Sequence, residues 1–402
     1  MIQDLDNELS KVGINALVVI GDSTFGNPSL TYVVGTTIPR GGLYIKPVGS
    51  DPMLIVNDGD IGSAKQGIVK NIRSISEFGF YKLAKKIGVN KAISEVCVQV
   101  LKELHVKGNV CLAGKVEASI ALIWAEWLKN KGFSISIDEK LVNRVRMTKD
   151  NVEIDKIRNI GRKTEKVVET TINMLLECNV DKEDNLRGEG GKPLTVGGVK
   201  AFIRMKLAEE NLIASMDTVF AIGAEGADPH NVGGEKTVIT TNTPIVFDIF
   251  PQEVGGYCFD TTRTFVIGKA SEKVKNCYMA VLESQHLALD IIKSGVPGIE
   301  VMMKVCEFLE AKGYKTPIYY TKKTIPMTEG FIHGLGHGIG LTIGESPSLG
   351  LTSEEILKEG AVITVEPGLY YPNEFGVRIE DVVVVRKNKL ENLSTLPKEL
   401  EI

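Results

Sequence analysis

The chain is expected to fold as an α/β domain followed by a larger domain of strands and helices that carries a metal-dependent active site. Three observations predict this. At 402 residues the chain exceeds the roughly 250–300 at which a single hydrophobic core stops growing. Its first ~140 residues alternate short apolar strands with helical stretches, the pattern of an α/β layer. In its second part five residues of metal-ligand type, Asp248, Asp260, His337, Glu366 and Glu380, sit in short apolar or glycine-rich contexts.

Residues 14–20 (INALVVI) read as a buried strand, and 31–35 (TYVVG) and 42–47 (GLYIKP) as two more. Residues 92–106 and 116–130 have apolar side chains at helical spacing, separated by the strand-like NVCLAG. His105 ends the first of these helices, where a cation favourably meets the dipole, so its role is structural. The polar, basic run 144–151 (RVRMTKDN) marks the junction and places the domains at 1–145 and 151–402. Asp150 or Asn151 caps the next helix, with Glu153 in its first turn. Ile154, Ile157, Val168, Ile172 and Leu175 form its apolar stripe. Residues 179–198, rich in glycine and charge, read as a long loop. Helices follow at 271–292 and 298–312, and from residue 361 onward the pattern is strand-like.

Composition excludes several classes of function. A hydrophobic content of 43% and a charged content of 24% are ordinary for a globular protein. The net charge of −4 gives no basic surface for nucleic acid. The six cysteines form no CxxC pair, which suits buried free thiols in a reducing compartment. Cys258 lies two residues before Asp260 and shares its facing along a strand, although a packed core position suits it better. The acidic N-terminus is no signal peptide, and no run approaches the ~20 apolar residues of a spanning helix. A cytoplasmic location away from membranes is therefore expected.

The chemistry lies in the second part. Residues 243–250 (TPIVFDIF) and 257–267 (YCFDTTRTFVI), with Gly255 and Gly256 between them, read as a hairpin with one aspartate on each arm. A carboxylate flanked by apolar residues, as in VFDIF, is costly to bury unless compensated, and a cation is the usual remedy. His337 stands in GLGHGIG, four residues after His333. The interleaved glycines disfavour a helical zinc pair, so one imidazole is assigned to a metal and the other to the substrate. Glu366 ends an apolar strand in TVEPGLY, and Glu380 sits in GVRIED. Arg378, two residues before Glu380, shares its face and is assigned either to orienting that carboxylate or to binding a substrate carboxylate. Four hard carboxylates and one imidazole suit a pair of divalent cations, which make a nucleophile of water at neutral pH.

These contexts resemble the pita-bread metallopeptidases, the family of methionine aminopeptidase, aminopeptidase P and prolidase, over residues ~150–390. The spacing of fourteen between Glu366 and Glu380 and the words TVEPGLY and GVRIED are close to the prolidase branch. The first domain is similar to the creatinase/prolidase N-terminal domain in length and position. The resemblance implies an α+β pita-bread catalytic domain that hydrolyses Xaa-Pro bonds as a prolidase or Xaa-Pro aminopeptidase. It implies two divalent ions, Mn²⁺ or Co²⁺ first and Zn²⁺ or Fe²⁺ after them, held by Asp248, Asp260, His337, Glu366 and Glu380. A hydroxide bridging them would attack the peptide carbonyl. It further implies Glu366 as proton shuttle, His230 (in GADPHN) and His333 as substrate-holding histidines, a short peptide substrate and a homodimer.

Two departures stand out. Asp248 and Asp260 are twelve apart, one more than the family's common eleven. The family also writes a histidine seven residues after the metal histidine, and here that position is Gly344, in TIGESPSLG. That histidine donates a hydrogen bond to the scissile carbonyl, and losing one such donor costs about 100–1000-fold in rate. Gly344 therefore raises a rival reading, a non-peptidase of the same fold such as a small-molecule amidohydrolase or lyase. An idle binding protein is the third reading, and five intact ligands argue against it.

Overall fold

The computed structural model describes residues 2–214 and 216–402. The chain divides into two compact units, Met1–Arg146 and Met147–Ile402.

The first unit is built on a six-stranded sheet of β1 (Ala16–Gly21), β2 (Gly42–Pro47), β3 (Met53–Val56), β4 (Asn71–Ser74), β5 (Asn109–Lys115) and β6 (Ser134–Ser136), in the order β4-β3-β2-β1-β5-β6. All run in one direction except β2. Strands covered on both faces need continuous apolar runs, and five successive residues of β1 are buried. Helices Val89–Glu103 and Ala118–Asn130 contribute Val96, Leu101, Trp124 and Leu128 to a core with Val18, Ile20, Ile55 and Val110.

One expectation fails here. Residues 31–35 are not a strand: they lie largely in helix Pro28–Val34. The β-branched and aromatic run TYVV mimics a strand, but local end signals prevail. The Asn27 side chain accepts the Leu30 N–H, Pro28 opens the first turn, and Gly35 closes the helix at φ 71°. The apolar content instead buries Leu30, Tyr32, Val33 and Val34.

The second unit opens with a 26-residue helix, Asn151–Leu176. Asp150 accepts the Glu153 N–H and Glu153 accepts the Asp150 N–H, a reciprocal cap worth about 1 kcal/mol. Residues 179–198 are more ordered than a loop. They hold the short strands Asn179–Val180 and Leu186–Arg187 and the start of helix Val196–Glu209, capped by Thr195.

Two sheets then build the site. One is three-stranded: β7 (Val219–Ile222), β8 (Pro244–Ile249) and β9 (Thr261–Val266). The other, five-stranded, has the order β11-β10-β12-β15-β16, with β10 (Gly336–Ile339), β11 (Ile343–Leu349), β12 (Val362–Val365), β15 (Asp381–Val385) and β16 (Leu390–Asn392). The ribbon β13 (Gly368–Tyr371) and β14 (Phe375–Arg378) lies between β12 and β15 in the chain. Helices Glu272–Ile291 and Gly298–Ala311 pack Val281, Ala288, Val305 and Leu309 into one core with Ile363, Val365 and Val383. Strands β8 and β9 pair antiparallel as expected, Asp248 opposite Thr262. Their connection is no simple Gly-Gly turn, because Pro251–Glu253 forms a strand against Leu212–Ala214. The longer spacing between the aspartates lies in this detour.

Candidate active site

Strands or their ends deliver six of the candidate side chains, while His230 and His333 come from the turns between them. Asp248 sits in β8, and Asp260 directly precedes β9. His337 is in β10, Glu366 follows β12, Arg378 ends β14, and Glu380 directly precedes β15. Strand β10 can approach β12 closely because residue 336 is glycine: a Cβ there would meet the Thr364 carbonyl oxygen at 2.1 Å. A cavity of about 530 Å³ is lined by all eight candidates, Asp248, Asp260, His337, Glu366, Glu380, His230, His333 and Arg378.

The ligand-type atoms converge. Donor atoms of Asp260, His337 and Glu380 lie within 4.8 Å of one another. The His337 Nε2 is 3.4 Å from Glu366 Oε1 and 3.8 Å from Asp260 Oδ2. Its Nδ1 faces the Gly338 carbonyl oxygen at 3.1 Å, and donation to that oxygen leaves the Nε2 lone pair for a metal. Two buried carboxylate oxygens, Asp248 Oδ1 and Asp260 Oδ1, have no hydrogen-bond partner. Burial pushes the Asp260 and Glu380 carboxyls well above their usual range, and neighbouring carboxylates push them further. Burial also raises Asp248, with Arg378 opposing it. Unpaired oxygens and mutual repulsion are what divalent cations relieve, and the oxygen-rich donor set fits them.

Arg378 is not attached to Glu380. Its Nη2 donates to Asp248 Oδ2 at 2.7 Å, and its Nη1 donates to the Tyr370 hydroxyl at 2.7 Å and the Pro229 carbonyl oxygen at 3.5 Å. Its Nε donates to Thr262 Oγ1 at 3.3 Å. Facing Glu380 along the chain matters less than the strand opposite, because β14 packs against β8. His333 is likewise engaged, Nε2 with the Tyr370 hydroxyl at 2.9 Å and Nδ1 with the Gly334 carbonyl oxygen at 2.7 Å. Burial holds its imidazole below the ordinary range, hence neutral. His230 is exposed at the cavity wall. Cys258 is buried and is not part of the lining, and His286 is exposed on its helix.

Residues 155–387 match metallopeptidase family M24. The chain belongs to that family. Divalent metal ions are typical of M24 metallopeptidases, in agreement with the donor set. This M24 chain is 29% identical to the Xaa-Pro dipeptidase of Pyrococcus furiosus over 377 residues, 93% of each chain. It is 28% identical to that of Pyrococcus horikoshii, over 93% of this chain and 92% of the relative. Among solved structures, the Xaa-Pro dipeptidase from Bacillus anthracis superposes with a TM-score of 0.80 at 26% identity, covering 100% and 99% of the two chains. The X-Pro aminopeptidase from Thermotoga maritima gives 0.76, also at 26%, with the same coverage. The expected architecture, an N-terminal α/β domain and a pita-bread catalytic domain, is thus the one observed.

Three further residues of the M24 site went unnamed in the sequence. Thr364 Oγ1 accepts the His337 N–H at 3.0 Å and donates to Glu366 Oε1 at 3.0 Å, tying one ligand-type residue to the other. Thr262 Oγ1 donates to Glu380 Oε2 at 2.7 Å. Both threonines stand two residues from a carboxylate in a strand, so alternation could have flagged them. Tyr370, fully buried and with its hydroxyl pushed up to about 12 by burial, joins His333 to Arg378. No local signal marks it.

Gly344 adjoins the site. Its N–H lies 3.2 Å from His337 Nδ1, its φ is +75°, and a Cβ built there meets no atom within 4 Å. The hydroxyl of Ser346 is occupied by Glu355 Oε1 at 2.6 Å. Of the groups able to replace the absent imidazole, the Ser346 hydroxyl is thus engaged elsewhere, which leaves the Gly344 N–H and His230.

Proposed function

We propose that this metallopeptidase hydrolyses Xaa-Pro peptide bonds. The observation that carries the reading is the convergence of Asp248, Asp260, His337, Glu366 and Glu380 on one cavity with two carboxylate oxygens unpaired. The relatives named Xaa-Pro dipeptidase, matched over nearly their full length, support the substrate class. The five residues would hold two divalent ions, Mn²⁺ or Co²⁺ by preference. Such ions, when bound, polarise a carbonyl and acidify water.

The chain's own groups do the rest. Glu366, fixed by Thr364, takes a proton from the attacking water and delivers it to the leaving nitrogen. His230 and the neutral His333 hold the peptide, and Tyr370 holds His333 in place. Arg378 keeps one oxygen of Asp248 engaged, so that the other faces the cavity. With its cysteines free, the enzyme suits a reducing compartment, the cytoplasm.

The test is direct. Protein reconstituted with Mn²⁺ and desalted should retain close to two ions per chain by elemental analysis and cleave Xaa-Pro dipeptides or longer Xaa-Pro peptides. Finding no bound metal, or no cleavage of either substrate, sinks the proposal.

The open space at Gly344 favours a second reading, a non-peptidase whose bulkier substrate fills that space. Gly344→His separates the two. A Cβ at this position meets no atom within 4 Å, although a side chain at φ +75° is strained by about 1–3 kcal/mol. A peptidase short of one donor should gain Xaa-Pro hydrolysis by up to about 100-fold. A non-peptidase should gain none and lose its own turnover as the pocket fills.

A further inference from the structure

One buried polar side chain stands where packing asks for none. Gln285 is 0% exposed on helix Glu272–Ile291, between Val281 and Ala288 on the face that enters the apolar core. An apolar residue would fill that place without the cost of burying a carboxamide. Part of the cost stays uncompensated, because the Gln285 Oε1 has no hydrogen-bond partner among the described residues. The Nε2 is fully used: it donates to the Val365 carbonyl oxygen at 2.9 Å and to the Ile379 carbonyl oxygen at 3.2 Å. Those carbonyls belong to the peptide bonds that lead directly into Glu366 and Glu380. The N–H ends of the same two peptide planes are also held. The Glu366 N–H donates to the Leu335 carbonyl oxygen at 2.8 Å, and the Glu380 N–H to the Thr262 carbonyl oxygen at 3.0 Å. Leu335 stands two residues before His337, and Thr262 two residues after Asp260.

We propose that Gln285 is a positioning residue of the metal centre: by holding both peptide planes it sets the separation of Glu366 and Glu380, and so how tightly the ions are bound. This rests on the two-ion reading of the site and adds a residue that tunes it from outside. A peptide unit is planar, so a grip on its carbonyl oxygen constrains the Cα that follows and the direction of that residue's side chain. One carboxamide does this for both glutamates at once, from a helix that adds no side chain to the cavity lining. Buried carboxylates repel one another, and ligands must stay within about 0.5 Å of their working places to bind an ion well. Asparagine, shorter by a methylene group, would fall short of at least one carbonyl, and a glutamate would aim a negative oxygen at them.

The experiment measures Mn²⁺ binding by titration calorimetry and the visible absorption of the Co²⁺-loaded full chain, a readout of ligand geometry that does not depend on turnover. Gln285→Met preserves volume and apolar burial while removing both N–H donors. Its affinity for Mn²⁺ should fall by about 10–100-fold, the range found when groups that orient metal ligands are removed, and its Co²⁺ bands should shift. Ser284→Ala is the control, because the Ser284 hydroxyl is equally buried and donates to the Val281 carbonyl oxygen of its own helix. That variant should change neither quantity. A merely structural Gln285 would lower the melting temperature of the metal-free variant and leave both Kd and the Co²⁺ bands at wild-type values. Such an outcome, or equal changes in Ser284→Ala, overturns the inference while leaving the two-ion reading intact. Wild-type protein that binds no ion overturns that reading and the inference with it. Gln285→Asn keeps an amide and should also weaken binding and shift the bands, so it decides by the same two measurements should the methionine variant fail to fold.

Discussion

Replacing Glu366 by glutamine is expected to lower kcat by about 100- to 10,000-fold, the span that positioned acid–base groups supply. The substitution preserves volume and keeps an acceptor for the Thr364 hydroxyl at 3.0 Å. It removes both the charge that faces His337 Nε2 at 3.4 Å and the group able to take up a proton. Fold should survive, because Thr364 stays buried between His337 and residue 366 and the core beneath is untouched. The measurement is steady-state turnover on an Xaa-Pro peptide, with metal content and circular dichroism on the same sample. Turnover near wild type in a protein that still holds its ions would remove Glu366 from the chemistry.

The second large effect concerns stability. In the metal-stripped protein, burial and mutual repulsion hold the carboxyls of Asp260 and Glu380 well above their unfolded values. A carboxyl with a raised pKa in the folded state favours folding most below its unfolded pKa, and that contribution is lost as pH rises through the folded value. Stripped protein should therefore lose stability from these groups as pH rises above their unfolded values. Divalent ions act in the opposite direction, since they bind deprotonated ligands and bind more tightly as pH rises. The rise in Tm on adding Mn²⁺ should thus grow with pH. At a hundredfold excess over Kd one ion contributes about 2.7 kcal/mol, or on the order of 5–10 °C for a domain of this size. Scanning calorimetry with and without chelator checks this. An increment that stays flat or shrinks with rising pH would mean that these carboxylates do not bind the ions.

How much of the molecule the sequence disclosed follows from where each signal resides. Asp248 was legible because a carboxylate inside VFDIF is anomalous on its own strand, and Glu366 and Glu380 because each interrupts an apolar run. The partner of Arg378 was not, because alternation along one strand says which residues share a face but not which strand lies opposite. Tyr370 looked like core, and its hydroxyl acquires meaning only once β13 and β14 bring it to Arg378. The helix at Pro28–Val34 was hidden by a strand-like composition. Its end signals, Asn27, Pro28 and Gly35, were present in the sequence and outweigh propensity, because they satisfy backbone groups that composition leaves unpaired.

The backbone on either side of Gly344 has a consequence for how this enzyme can change. Immediately after it, Glu345 is buried against the Lys149 ammonium at 2.6 Å, both side chains 2% exposed. Then Ser346 and Ser348 are both bonded to Glu355. Position 344 itself touches nothing with its missing side chain. The segment is therefore anchored by its neighbours and not by residue 344 itself. Substitutions at 344 can alter what the site accepts while stability is held by residues that need not change. Such a position lets a lineage move between substrates by single replacements, and relatives with different side chains there should differ in selectivity far more than in melting temperature.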